Sequence, residues 1–151
     1  MLSAQEIVQY QAKENLLKDR IIMITGAGSG IGKAAAITFA AAGATVILAG
    51  RTVEKLEAVY DQIIKSGGEE PLIYPVDFEG ATEDDFNELA NQIDQQFGRL
   101  DGLLLNAGIL GQRTPISKYR QDVWDKVLKV NVSSQHLLTK ALIPILEAAE
   151  N

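Results

Sequence analysis

Four glycines fall within eight residues at Thr25-Gly26-Ala27-Gly28-Ser29-Gly30-Ile31-Gly32. A turn of this kind leaves backbone N–H groups uncovered by side chains. Where it opens a helix, those donors and the helix dipole both favour an anion such as a pyrophosphate. The spacing is T-G-x-x-x-G-I-G rather than the plain G-x-G-x-x-G fingerprint, because Ile31 stands between Gly30 and Gly32, and Gly28 adds a flexible point. Taken alone, the stretch also reads as an ordinary tight strand-to-helix turn. Its flanks sharpen it, since an apolar run (Ile21 to Ile24) precedes it and an alanine-rich segment (Lys33 to Ala42) follows. Strand, glycine turn and helix in that order are a signal of a dinucleotide site.

Other candidate residues stand at the ends of apolar runs. Gly50-Arg51 follows the second run, where an acid would grip a ribose 2′-hydroxyl. The Arg51 guanidinium instead suits a 2′-phosphate, with Ser29 as a possible hydroxyl donor. The plainer reading of Arg51 is a surface arginine at a helix start, and Glu54, the nearest acid, falls inside that helix. Asp77-Phe78 follows the third run. Its carboxylate suits an adenine amino group and its ring suits packing nearby, although an Asp in a turn needs no ligand. Asn106-Ala107-Gly108 follows the fourth run. Its small residues allow a close approach of cofactor and backbone, and Asn106 also suits a structural tie between strands.

The elements needed to position these residues alternate. The patterns predict strands over 21–25, 45–49, 72–76 and 103–105. Helices are predicted over 31–42 (stopped by Gly43), 53–66 (capped by Thr52, with Leu56, Val59, Ile63 and Ile64 inward) and 83–97 (capped by Thr82, with Phe86, Leu89, Ile93 and Phe97 on one face). The acids Glu83, Asp84 and Asp85 read as a solvated helix start. A last long helix is predicted over 121–148, kinked near Pro144. Residues 3–17 read as a loose amphipathic helix, so 1–20 is set apart as an N-terminal extension and 21–151 as the main domain. Strands alternating with helices imply an α/β, Rossmann-like doubly wound parallel sheet with right-handed crossovers and strand order 3-2-1-4.

A net charge of −6 argues against a nucleic-acid partner. No uncharged apolar run approaches the roughly 18 residues of a membrane span, and 1–11 lacks the pattern of a signal peptide. The chain has no cysteine and one histidine, His136, which reads as a packing or surface residue, so no metal is expected. A cytoplasmic address follows by default.

From about Leu16 onward the sequence resembles the short-chain dehydrogenase/reductase family. The resemblance is carried by Thr25 to Gly32, Gly50-Arg51, Asp77, Leu105-Asn106-Ala107-Gly108 and Lys129-Val130-Asn131-Val132. The Gly-Arg strand end is similar to NADP-preferring members, and Asn106 to Gly111 is similar to the bacterial YciK-type oxidoreductases. Leu105 departs from the family, many members of which carry an Asn there. That departure puts a strand-stabilising hydrogen bond in doubt.

The resemblance implies an NADP(H) cofactor, NAD being disfavoured, and hydride transfer between nicotinamide and a carbonyl or alcohol. It also implies a catalytic Asn, Ser, Tyr and Lys set, of which Asn131 matches the Asn. The residues four after Tyr10, Tyr60, Tyr74 and Tyr119 are Glu14, Ile64, Phe78 and Val123, none of them Lys. The expectation is therefore a sheet truncated after its fourth strand and long helix, the inactive cofactor-binding part of a longer enzyme. Such a part is expected to associate with itself through the 121–148 helix or the 103–105 strand. A stand-alone nucleotide-binding module and a pure interaction domain are the alternatives.

Overall fold

The computed structural model describes residues 13–149. Four strands form one parallel sheet: β1 (Ile21–Thr25), β2 (Thr45–Gly50), β3 (Leu72–Pro75) and β4 (Gly102–Leu104), in the order β3-β2-β1-β4. Between them run the helices α1 (Gly30–Ala41), α2 (Val53–Lys65) and α3 (Glu83–Phe97), and after β4 come α4 (Gln121–Leu128) and α5 (Ser134–Glu147). This is the doubly wound α/β sheet and strand order that the alternating pattern implies.

Burial explains the layering. All five residues of β1 are buried, as a strand covered on both faces must be. Its side chains alternate between two cores. Ile21 and Met23, with Ile47 and Ala49, pack into a cluster containing Phe86, Leu89 and Ile93 of α3 and Leu138 and Leu142 of α5. Ile22 and Ile24, with Val46 and Leu48, pack against Ala36 and Ala40 of α1 and Leu56, Val59 and Ile63 of α2. The alanines of α1 bring that helix close to the sheet.

Several boundaries and details differ from the sequence expectations. β2 extends to Gly50, β3 ends at Pro75, and β4 runs from Gly102 to Leu104, leaving Leu105 beyond it. Ile64 turns outward, 43% exposed, because Leu56, Val59 and Ile63 already fill the inner face of α2. Thr82 caps α3 in a full capping box with Asp85, whereas Thr52 stands at the start of α2 without a side-chain cap bond. The single helix expected over 121–148 is interrupted by a π-helical turn, Lys129–Ser133, and α5 continues helical through Pro144. The irregularity sits at 129–133 because two side chains take the Val130 carbonyl: Ser134 Oγ donates to it at 2.8 Å and Gln135 Nε2 at 3.3 Å. Of the helix expected over 3–17, residues 14–17 form turns, with Asn15 at φ 55°, residue 13 is irregular, and the rest lies outside the described residues.

At the N-terminal edge of the sheet, Asp101 joins three elements. Its carboxylate accepts from the Ile21 N–H at 2.8 Å, from Arg20 at 2.8 Å and from Arg99 at 3.2 Å. Its side chain is only 3% exposed. The chain's candidate site lies at the opposite edge.

Candidate functional site

The site is built at the C-terminal ends of β1, β2 and β4. Thr25, fully buried at the end of β1, is its hub. The Thr25 hydroxyl accepts from the N–H groups of Asn106 and Ala107, each at 2.9 Å, and donates to the Leu104 carbonyl at 3.3 Å. Asn106 answers by donating its side-chain amide to the carbonyls of Thr25 at 3.0 Å and Gly26 at 3.4 Å. The tie left in doubt by Leu105 is thus supplied by Thr25, and Asn106 takes the structural role. Leu105 itself is 44% exposed.

Two glycines of the turn are demanded by this tie. A Cβ on Gly26 would lie 2.9 Å from the Asn106 amide nitrogen. A Cβ on Gly32 would strike the Gly26 carbonyl oxygen and the same nitrogen. Gly30 differs: it has φ +55° and nothing within 4 Å of where a Cβ would be, so its backbone faces open space. Beside it Ile31 is 78% exposed.

The start of α1 is chemically bare. Its N-cap, Ser29, makes no side-chain cap bond, and no acid lies in the first turn. The start of α2 likewise lacks a side-chain cap. Both ends border one groove of about 230 Å³. Uncapped helix N-termini leave N–H donors for a ligand or water; α3 is fully capped, and α4, which also starts without a side-chain cap, begins outside the groove.

The groove brings together most of the residues singled out from the sequence: Gly26, Gly28, Ser29, Arg51, Asp77, Phe78, Ala107 and Gly108. Gly30, Ile31, Gly32, Asn106 and Asn131 are not among its lining residues; Gly32 and Asn106 lie beneath the turn. Phe78 is only 5% exposed, with its ring stacked on Phe86 at 6.2 Å, so it belongs chiefly to the core and offers a groove little surface. Asp77 organises its own turn by accepting from the Glu79 N–H at 3.2 Å. Asn131, in the π-helical turn, clamps the loop after β4. Its amide oxygen accepts from the Ile109 N–H at 2.8 Å and its amide nitrogen donates to the Ile109 carbonyl at 2.9 Å.

Sequence reasoning missed six further wall residues, Thr52, Lys55, Leu56, Ile109, Lys126 and Val130. Lys55 was legible one helical turn after Arg51, and Thr52 directly follows it. Lys126 was not legible, since it reaches the groove only through the packing of α4, where it pairs with Glu79 at 2.5 Å. His136 is exposed, and no cluster of metal-binding side chains occurs among the described residues. Among them, no helix is long and apolar enough to cross a membrane.

A parallel sheet in this order, with a glycine turn at its first strand and an open groove across the strand ends, defines a Rossmann-type α/β protein. The short chain dehydrogenase family model matches residues 20–151, and the chain belongs to that family. It is 45% identical over 139 residues to the oxidoreductase YciK of Escherichia coli K12, covering 92% of this chain and 55% of that protein. A short chain dehydrogenase structure from Pseudomonas syringae superposes with a TM-score of 0.92 at 46% identity, over 94% of this chain and 57% of the other. One from Escherichia coli CFT073, complexed with NADPH, does so with a TM-score of 0.89 at 45% identity, over 92% and 58%. The chain therefore spans a little over half the length of these relatives.

Proposed function

We propose that this chain is the cofactor-binding part of an NADP(H)-dependent oxidoreductase acting on a carbonyl or alcohol substrate. The observation that carries the reading is the shared groove at the two uncapped helix starts, with the open backbone of Gly30 beside them. That cradle fits a dinucleotide: the α1 start suits the pyrophosphate and Arg51 suits a 2′-phosphate. The NADPH complex of the Escherichia coli CFT073 relative supports the choice of NADP(H). Asp77, which lines the groove, would accept from the adenine amino group, and the small Ala107 and Gly108 would let the cofactor approach the backbone after β4. Asn131 acts here as a positioning residue, fixing Ile109 and with it one groove wall.

When bound, NADPH supplies the hydride. The residues described here hold and orient it; a proton donor for the carbonyl is not among them. None of the four tyrosines has a lysine four residues on, so the 151-residue chain alone turns over no substrate. The same reading places the protein in the cytoplasm, where NADPH is supplied.

Titration followed by nucleotide fluorescence tests the proposal. NADPH binds more tightly than NADH, and Arg51→Asp narrows or reverses that preference by about tenfold, the worth of one charge-assisted hydrogen-bond pair. An unchanged NADPH/NADH ratio in that variant refutes the Arg51 assignment. Robust carbonyl reduction by the purified chain refutes the inactive reading.

A further inference from the structure

Arg51 is not the only uncommitted cation on the groove. Lys55, in the first turn of α2 and four residues after Arg51, also lines it. Its direction is fixed from both sides. The next residue, Leu56, is 1% exposed and locked in the core, so α2 cannot rotate. A Cβ on Gly28 would lie 2.9 Å from the Lys55 Cβ, so the lysine stem leaves the helix directly against the glycine turn.

The charge inventory is uneven. Of the three cations that line the groove, Lys126 is engaged by Glu79. The side chains of Arg51 and Lys55 make no hydrogen bond or ion pair among the described residues. Asp77 is the acid lining the groove, and Glu54, though adjacent to Lys55 in sequence, does not line it. In a chain of net charge −6, two neighbouring cations without partners flank one end of one groove. A phosphate dianion makes use of both; a ribose hydroxyl needs neither.

We infer that Lys55 is the second cation for the 2′-phosphate, a specificity-determining residue that acts beside Arg51 and is aimed by its contact with Gly28. The inference rests on the cofactor reading given above. It is a claim about discrimination, because a lysine that held the pyrophosphate instead would serve phosphorylated and unphosphorylated dinucleotides alike.

The test titrates the full chain, as wild type, Lys55→Gln and Lys55→Arg, with NADPH, NADH, adenosine 2′,5′-bisphosphate and 5′-AMP. Lys55→Gln weakens NADPH and the bisphosphate by about tenfold and leaves NADH and 5′-AMP unchanged, while Lys55→Arg retains the preference. Equal weakening of NADPH and NADH overturns the inference and moves Lys55 to the pyrophosphate. No weakening of either overturns it as well. Wild-type protein that binds none of the four overturns the cofactor reading along with it, which separates that failure from a failure of Lys55 alone. Circular dichroism of Lys55→Gln matches wild type, because the exposed lysine head supports no other contact.

Discussion

A methyl group at position 32 has nowhere to go, because the Gly26 carbonyl and the Asn106 amide already occupy its place. The Asn106 amide donates to the carbonyls of both Thr25 and Gly26, so neither group yields cheaply. Gly32→Ala is therefore expected to cost about 3 kcal/mol or more, the upper range for forcing extra volume into a packed site. It is also expected to abolish NADPH binding. Gly30→Ala is the informative contrast: there is room for its methyl, and only the positive φ opposes it, at about 1 kcal/mol. Denaturant midpoints for the two variants, read beside NADPH titrations, check the ordering; equal losses would mean that the Asn106 tie does not constrain the turn. The glycine spacing itself was visible in the sequence, as was a tying role for Asn106. The Thr25 hub was not, because a threonine ending an apolar strand carries no signal until the strand after it is known. Phe78 shows the reverse: it lines the groove, yet most of it is buried in the core. Its position after a strand suggested a ligand, whereas its neighbour in space, Phe86, lies eight residues away on α3 and captures the ring.

At the scale of elements, alternation of apolar runs with helix-forming segments was enough to read the strand order, since a parallel sheet with right-handed crossovers leaves few choices. The break between α4 and α5 escaped, because apolar periodicity runs through it without a glycine or proline; Ser134 and Gln135, ordinary helix-surface types, turn inward and bond Val130. The joint at Asp101 was equally silent, since Arg20, Arg99 and Asp101 read as scattered surface charges. It carries a pH prediction. Burial pushes the Asp101 pKa up, but the Ile21 N–H, Arg20 and Arg99 outweigh it and hold the carboxyl below its ordinary value. A depressed carboxylate stabilises the fold above its unfolded pKa of about 3.9, and the contribution is lost as pH falls through the lower folded value. Stability should thus fall steeply below about pH 4. Asp101→Asn should cost about 2 kcal/mol at neutral pH, discounted because Arg20 and Arg99 are 42% and 38% exposed. In that variant the acid-side slope flattens. A parallel slope in variant and wild type, measured by urea titration from pH 3 to 7, would assign the acid sensitivity elsewhere.

The whole molecule leaves one face poorly covered. β4 pairs only with β1, so it stands at the edge of the described sheet. Trp124, Leu128 and Val132 follow one another at four-residue spacing across α4 and the π-helical turn, 44%, 40% and 57% exposed. Leu105, at the end of β4, is 44% exposed as well. The sequence-based expectation of self-association through the 121–148 segment or the 103–105 strand becomes more specific with the helix divided. The helical part of the surface centres on Trp124, whose ring meets Tyr119 edge-on at 6.2 Å and is thereby held in place. An ordered aromatic in sequence register with exposed aliphatic side chains has the composition of an interface centre. The association proposed here runs through this stripe. Static light scattering across a concentration series should show mass rising toward twice the 16.4 kDa of the chain. Trp124→Glu should return it to the monomer mass with an unchanged helical spectrum, because the ring lies outside both core clusters. If Trp124→Glu still associates while Leu104→Lys does not, the contact runs through the β4 edge instead. A wild-type mass that stays monomeric at high concentration removes self-association altogether and leaves the stripe to a different partner.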